Sequence, residues 1–182
     1  MAVFPSRTIS LRNGKILTIR NPLPEDAQSL VDYINEVAAE SENLSFGAGD
    51  APFTKEQEIQ YITSLQTDPH KIMAMGQIEG EMIAVSDISC HSLPRLRHSG
   101  DLGLSVKKKC WNMGVGKAIL EYLIDWAKSD AHLKKINLQV KESNDSAIHL
   151  YKKFGFVEEG RLSRGMYING KYFDLICMGI EL

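Results

Sequence analysis

Two Asn-Gly pairs, Asn13-Gly14 and Asn169-Gly170, each sit between runs of strand-like residues near opposite ends of the chain. Asn-Gly tolerates the positive φ angles of tight hairpin turns, so an antiparallel hairpin is expected at each end. At Asn13-Gly14 the expectation is a type I′ turn joining Thr8–Arg12 to Lys15–Arg20. Between the hairpins the period changes. After Asn21-Pro22-Leu23-Pro24, the residues Ala27, Leu30, Val31, Ile34 and Val37 recur at helical spacing, and this helix should end near Glu40–Glu42. Residues 43–53 read as a loop, with Gly47, Gly49, Asp50 and Pro52. Thr54-Lys55-Glu56-Gln57 reads as a capping box that opens a second helix, with Ile59, Ile62 and Leu65 inward. Strands follow at Lys71–Ile78 and Glu81–His91, joined at Glu79-Gly80, and at Gly100–Val106 after a polar turn over 92–98. A loop over Lys107–Met113 leads into an amphipathic helix, Gly114–Asp130, whose inward set is Val115, Ala118, Ile119, Tyr122, Leu123 and Trp126. Lys135–Val140 alternates at period two, and Ser143–Phe154 is a short helix with Gly155 as its C-cap. This order of elements predicts an α/β fold with a mixed sheet, and without a repeat or linker it reads as one domain over 1–182.

With 182 residues, 43% of them hydrophobic, the chain can build one sizeable core. A net charge of −2 lacks the basic footprint of a general nucleic-acid binder. Cys90, Cys110 and Cys177 are widely spaced and odd in number, which argues against a disulfide framework or a zinc site. No apolar run reaches the ~18–20 residues that span a bilayer, and Met1–Arg7 lacks the pattern of a secretory leader, so a cytoplasmic location is expected.

The loop Lys107-Lys108-Lys109-Cys110-Trp111-Asn112-Met113-Gly114-Val115-Gly116-Lys117 joins a strand to a helix. Helix N-termini present unpaired N–H groups and partial positive charge, which suits a phosphate. Two nucleotide loops are excluded. A Walker loop requires glycine where Trp111 stands and Ser or Thr where Ala118 stands; a dinucleotide fingerprint requires glycine where Ile119 stands. Downstream, Asn144 and Tyr151 fall on roughly one face of a helix, with Ala147 between them.

Taken together, Leu104-Ser105-Val106, Trp111-Asn112-Met113-Gly114-Val115-Gly116-Lys117-Ala118 and Asn144-x-x-Ala147-x-x-Leu150-Tyr151-x-x-x-Gly155-Phe156 resemble the GNAT superfamily of acetyl-CoA-dependent N-acetyltransferases over nearly the whole chain. The ending Gly165–Met178 resembles bacterial members of the phosphinothricin and ribosomal-protein acetyltransferase branch. Trp111 stands where the family usually carries Gln or Arg. The resemblance implies a mostly antiparallel central sheet flanked by helices. It also implies acetyl-CoA as cosubstrate, a primary amine as acceptor, no metal, no nucleic-acid or membrane partner, and a homodimer formed through an edge strand. Leu104 and Val106 would bind the pantetheine arm through their main chain. Amides of Asn112, Met113, Gly114, Val115, Gly116 and Lys117 would hold the pyrophosphate, and Lys152 or Lys153 would approach the adenosine phosphate. Asn144 would bind the cofactor arm, and Ala147 would leave it room.

Direct attack of an amine on a thioester needs a neutral amine, a donor for the developing oxyanion and an acid for the leaving thiolate. The implied acid is Tyr151, since a phenol of pKa ~10 is protonated at neutral pH. The implied base is Asp101, acting through water. Glu40, Glu42, Asp50, Tyr167, Tyr172 and Asp174 are candidates for the acceptor pocket, because acidic and aromatic groups suit a cationic amine. The alternative reading is an acyl-CoA sensor that binds without transferring.

Overall fold

The computed structural model describes residues 4–50, 54–129 and 133–182. The chain runs β1 (Arg7–Ser10), β2 (Ile16–Arg20), α1 (Ala27–Glu40), α2 (Lys55–Leu65), β3 (Lys71–Ile78), β4 (Glu81–Cys90), β5 (Ser99–Val106), α3 (Val115–Ser129), β6 (Lys135–Lys141), α4 (Asp145–Lys153), β7 (Val157–Ile168) and β8 (Lys171–Glu181). The strands form one eight-stranded sheet in the order β1-β2-β3-β4-β5-β6-β8-β7. Only β5 and β6 run parallel, joined by the crossover through α3. This is the mixed, mostly antiparallel α/β sheet that the sequence predicts.

Helices cover both faces. β3 divides its side chains between them: Ile72 and Ala74 pack with α3, and Met73 and Met75 pack with α1 and α2. A strand covered on both faces reads as a continuous apolar run, which is what Ile72–Gly76 is. On the α3 side, Val115, Ala118, Ile119, Tyr122, Leu123 and Trp126 are all buried, as expected. The α1 face differs from the expected set. Tyr33 and Ala38 are buried with Ala27, Leu30 and Val37, while Val31 and Ile34 are half-buried. The polar hydroxyl of Tyr33 is accommodated by Ser105 Oγ at 2.9 Å.

Local signals also sort themselves. The capping box is present: Gln57 N–H donates to Thr54 Oγ1 at 3.2 Å, and Thr54 N–H donates to Gln57 Oε1 at 2.9 Å. The first hairpin does not carry the expected type I′ turn. Leu11 N–H donates to the Lys15 carbonyl, and within the loop only Gly14 has positive φ, at 81°. That is the three-residue arrangement, closed by Lys15 N–H on Asn13 Oδ1. The two-residue turn occurs instead at Asn169-Gly170 and at Glu79-Gly80, where both residues have positive φ. The expected ends of the long helix and of the 43–53 loop, at Asp130 and at 51–53, lie outside the described residues.

Ile119 is fully buried between α3 and the sheet. Ile119→Ala is expected to cost about 2–5 kcal/mol in urea unfolding.

Candidate active site

β5 pairs with β4 along its whole length, up to Val106 opposite Ala84. It pairs with β6 only through Ser99, Gly100 and Asp101. Beyond that point β6 stays with β8, up to Lys141 opposite Leu175, and a gap divides the sheet. Lys107 N–H donates to the Ile83 carbonyl at 2.9 Å, which fixes the phase of the ladder. Antiparallel ladders alternate, so Gly103 and Ser105 turn their backbone groups to β4, and Leu102, Leu104 and Val106 turn theirs into the gap. Trp111 meets one of them. Its indole N–H donates to the Val106 carbonyl at 2.8 Å. The Val106 N–H and the second lone pair of its carbonyl stay open to the gap.

The N-terminus of α3 lies at this gap. Asn112 and Gly114 turn the chain through positive φ, 62° and 90°, which asparagine tolerates and glycine adopts without strain. Ala118 N–H donates to the Gly114 carbonyl at 3.0 Å. The amides of Val115, Gly116 and Lys117 precede that first helical bond and point out of the helix end. A Cβ on Gly116 would stand 3.4 Å from Leu150 and 3.9 Å from Leu104 and Val106, so α3 packs closely here against apolar side chains that also line the cleft. Across the cleft, Asn144 caps α4, accepting the Ala147 N–H on Oδ1 at 3.3 Å. Tyr151 is 7% exposed. Its carbonyl accepts the Phe156 N–H at 3.1 Å, and the Gly155 N–H bonds to Lys152, a Schellman ending that fixes where α4 stops. The Tyr151 ring packs on Phe156, and burial pushes its hydroxyl up to about 12.

A cleft of about 2890 Å³ joins these features. Asp101, Leu104, Val106, Asn112, Gly114, Val115, Gly116, Lys117, Asn144, Ala147 and Tyr151 all line it. Met113 instead packs against the core beneath the loop. Lys153 lines the cleft and Lys152 does not. Two of the three lysines before the loop have structural partners. Lys107 is buried and bonds Glu36 and Glu81, and Lys109 bonds Glu81 at 2.6 Å. Burial pushes the Cys110 thiol up, so it is no ready nucleophile.

The other half of the cleft lies toward α1 and α2. Glu40, Glu42, Asp50 and Tyr167 line it, as expected. Glu40 accepts the Lys108 N–H at 2.8 Å and Glu42 accepts Asn169 Nδ2 at 2.9 Å. Tyr172 and Asp174 fall outside the lining and serve the hairpin. Tyr172 packs on Tyr167 with ring centroids 5.0 Å apart, and Asp174 accepts the Arg164 N–H at 2.9 Å and pairs with Arg161.

Sequence reasoning missed Asp87. It lies on β4 opposite Gly103, and a Cβ at Gly103 would come within 2.8 Å of its Oδ1. The carboxyl therefore overlies the β5 backbone beside the gap, in space that a side chain at 103 would contest. Burial pushes Asp87 up to about 6, with Ser89 opposing. The available signal was a single acid inside the apolar run Met82–Ile88. Asp101 shares this face, opposite Ser89; its side chain is 62% exposed, with His91 Nε2 at 3.7 Å.

The profile of the acetyltransferase (GNAT) family matches residues 35–156. The chain belongs to this family. It is 32% identical over 101 residues to the L-amino acid N-acetyltransferase of Escherichia coli, a match covering 56% of this chain and 62% of that protein. The crystal structure of a GNAT acetyltransferase from Streptococcus pneumoniae superposes with a TM-score of 0.89 at 34% identity, covering 91% of this chain and 99% of that one. A Salmonella typhimurium acetyltransferase with acetyl-CoA bound shares the fold, with a TM-score of 0.80 at 17% identity, covering 91% and 94%. The GNAT donor fits what is present: outward amides at the α3 terminus for a pyrophosphate, backbone groups in the gap for amide pairing, and an apolar cleft wall that includes Leu104, Val106 and Leu150. Among the described residues no helix is long and apolar enough to cross a membrane, and no His, Cys, Asp and Glu group could hold a metal ion.

A carboxyl raised on folding binds more protons folded than unfolded, so its cost is absent below the unfolded value and complete above about 6. Relative to Asp87→Asn, the parent should lose up to about 3 kcal/mol of stability between pH 4 and pH 7, measured by urea unfolding across that range.

Proposed function

We propose that the chain transfers the acetyl group of acetyl-CoA to a primary amine by direct attack on the thioester. The observation that carries this is the parting of β5 and β6 after Asp101, which opens a passage between the α3 terminus and the pocket holding Asp87. Acetyl-CoA supplies an acyl carbon activated as a thioester. The amides of Asn112 to Lys117 hold its pyrophosphate, and Leu104 and the N–H of Val106 pair with its pantetheine arm. Asn144 binds that arm through its Nδ2 hydrogens, since Oδ1 is committed to the cap. Ala147 keeps the cleft wide.

Asp87 takes a proton from the acceptor's ammonium group, leaving a lone pair on nitrogen. With a value near 6 it is ionised at neutral pH, yet a far better base than an exposed aspartate. Asp101 is the outer carboxylate, passing the proton to solvent beside His91. A β5 backbone N–H in the gap faces the acyl oxygen as it gains charge. The new N–C bond forms as the C–S bond breaks. Tyr151 gives its proton to the departing sulfur and regains one from the acylated nitrogen, so one proton leaves in all, through Asp87.

Thiol release measured with a panel of amines tests the assignment. Tyr151→Phe should lower kcat about 100-fold while the rise in melting temperature with acetyl-CoA stays that of the parent. Asp87→Asn should lower kcat about 100-fold or more and abolish the rise of kcat/KM through pH 6, whereas Asp101→Asn should keep that rise. A Tyr151→Phe enzyme with full turnover would remove Tyr151 from the acid role.

A further inference from the structure

We infer that the acceptor is a diamine or polyamine, whose distal ammonium group is held by Glu58 while the reacting nitrogen faces Asp87. This rests on the amine-transfer reading above. Glu58 lies on α2, is 5% exposed, and lines the cleft. Among the described residues its carboxylate has neither a hydrogen-bond partner nor an ion-pair partner. Carboxylates are almost never buried unpaired, because the lost hydration must be replaced by a counter-charge. None of the described residues supplies one. Lys141, which lines the same cleft, sits over the Phe173 ring at 4.2 Å and donates to the Glu42 carbonyl at 3.4 Å. Lys117 pairs with Glu121 on the α3 side.

Glu58 is also placed relative to the reacting end. Tyr61 follows it by one helical turn, and the hydroxyl lies beside Ser89, in the fields of both Asp87 and Glu58. Asp87 and Glu58 thus both act on the Tyr61 hydroxyl, as does Asp68. Apolar Leu30, Ile34, Met73 and Val85 line the same part of the cleft. Two anions, an aromatic face and an aliphatic wall match a short methylene chain with a charge at each end.

Butylamine and 1,4-diaminobutane share four carbons and differ by one charge, so they isolate the contact. In thiol-release kinetics the parent should show a KM for 1,4-diaminobutane at least about ten-fold below that for butylamine. Glu58→Gln should raise the diamine KM about ten-fold and leave the butylamine KM within about two-fold. Calorimetric titration of the CoA-loaded protein should register 1,4-diaminobutane with the parent and not with Glu58→Gln. An unchanged response to acetyl-CoA in melting experiments certifies that the variant is folded. Equal KM values for the two amines in the parent overturn the inference, and so does a variant that weakens both amines alike. Preference for an α-amino acid such as methionine, lost in Lys141→Met, overturns it in favour of carboxylate recognition. Each of those results leaves amine transfer standing. Turnover of no amine at all overturns the transfer reading and this inference together.

Discussion

A sheet that divides inside a protein leaves backbone donors and acceptors without their strand partners, and the rest of this structure is organised around that deficit. β5 and β6 hold together for three residue pairs and then follow different neighbours, β4 and β8. The cost of unpaired backbone groups is tolerable only where something else bonds them. Trp111 satisfies the Val106 carbonyl from within the chain. The remaining gap-facing groups, together with the α3 amides, have a ligand's geometry to meet. Because the gap passes through the sheet, it also connects the α3 and α4 face to the α1 and α2 face. In the proposed reaction the thioester enters from one side and the acceptor from the other.

The two faces are held in register by charge. Lys107, at the end of β5, is buried against the Tyr33 ring and bonds Glu36 of α1 and Glu81 of β4. A cation in that position fixes the acceptor wall to the strand that leads into the cofactor loop. Removing either carboxylate would leave the charge undercompensated, which is costlier than replacing the whole group with apolar side chains. Lys109 extends the network to the surface through the same Glu81. A lysine run that looks in sequence like a phosphate feature is, in two of its three members, an architectural one.

How much was legible in the sequence follows from the range of each signal. Periodicity over Gly114–Asp130 and the Thr54–Gln57 cap are local, and both elements appear where they were expected. The turn at Asn13-Gly14 was misjudged because the pairing of Leu11 with Lys15 fixes the loop length, and the dipeptide does not encode that pairing. The residues proposed to hold the cofactor were legible as contiguous blocks on one loop and one helix. The acceptor half was not. Asp87 comes from β4 while Glu58 and Tyr61 come from α2, far apart in sequence, and nothing local distinguishes Glu58 from the exposed Glu56 beside it. Tyr172 and Asp174 were drawn into the pocket by their chemistry alone, while β7–β8 pairing turns them to supporting the hairpin.

In the proposed mechanism, removal of water accounts for the division of chemical labour between Asp87 and Tyr151. Burial raises the values of Asp87 and Tyr151 alike, to about 6 and about 12. The consequences are opposite because the two groups start on opposite sides of neutrality. For the carboxyl, the shift moves it toward pH 7, where it stays ionised but gains affinity for a proton. For the phenol, the shift moves it further from pH 7, so its proton is kept until a stronger base, a departing thiolate beside it, draws it away. Neither assignment needs a dedicated partner to tune it, and neither group carries an opposite charge at hydrogen-bond distance. The base and the acid are therefore set by how deeply each side chain is seated, which ties the proton chemistry to the packing of β4 and α4 and makes the ionised Asp87 a cost to the fold at the pH where it works.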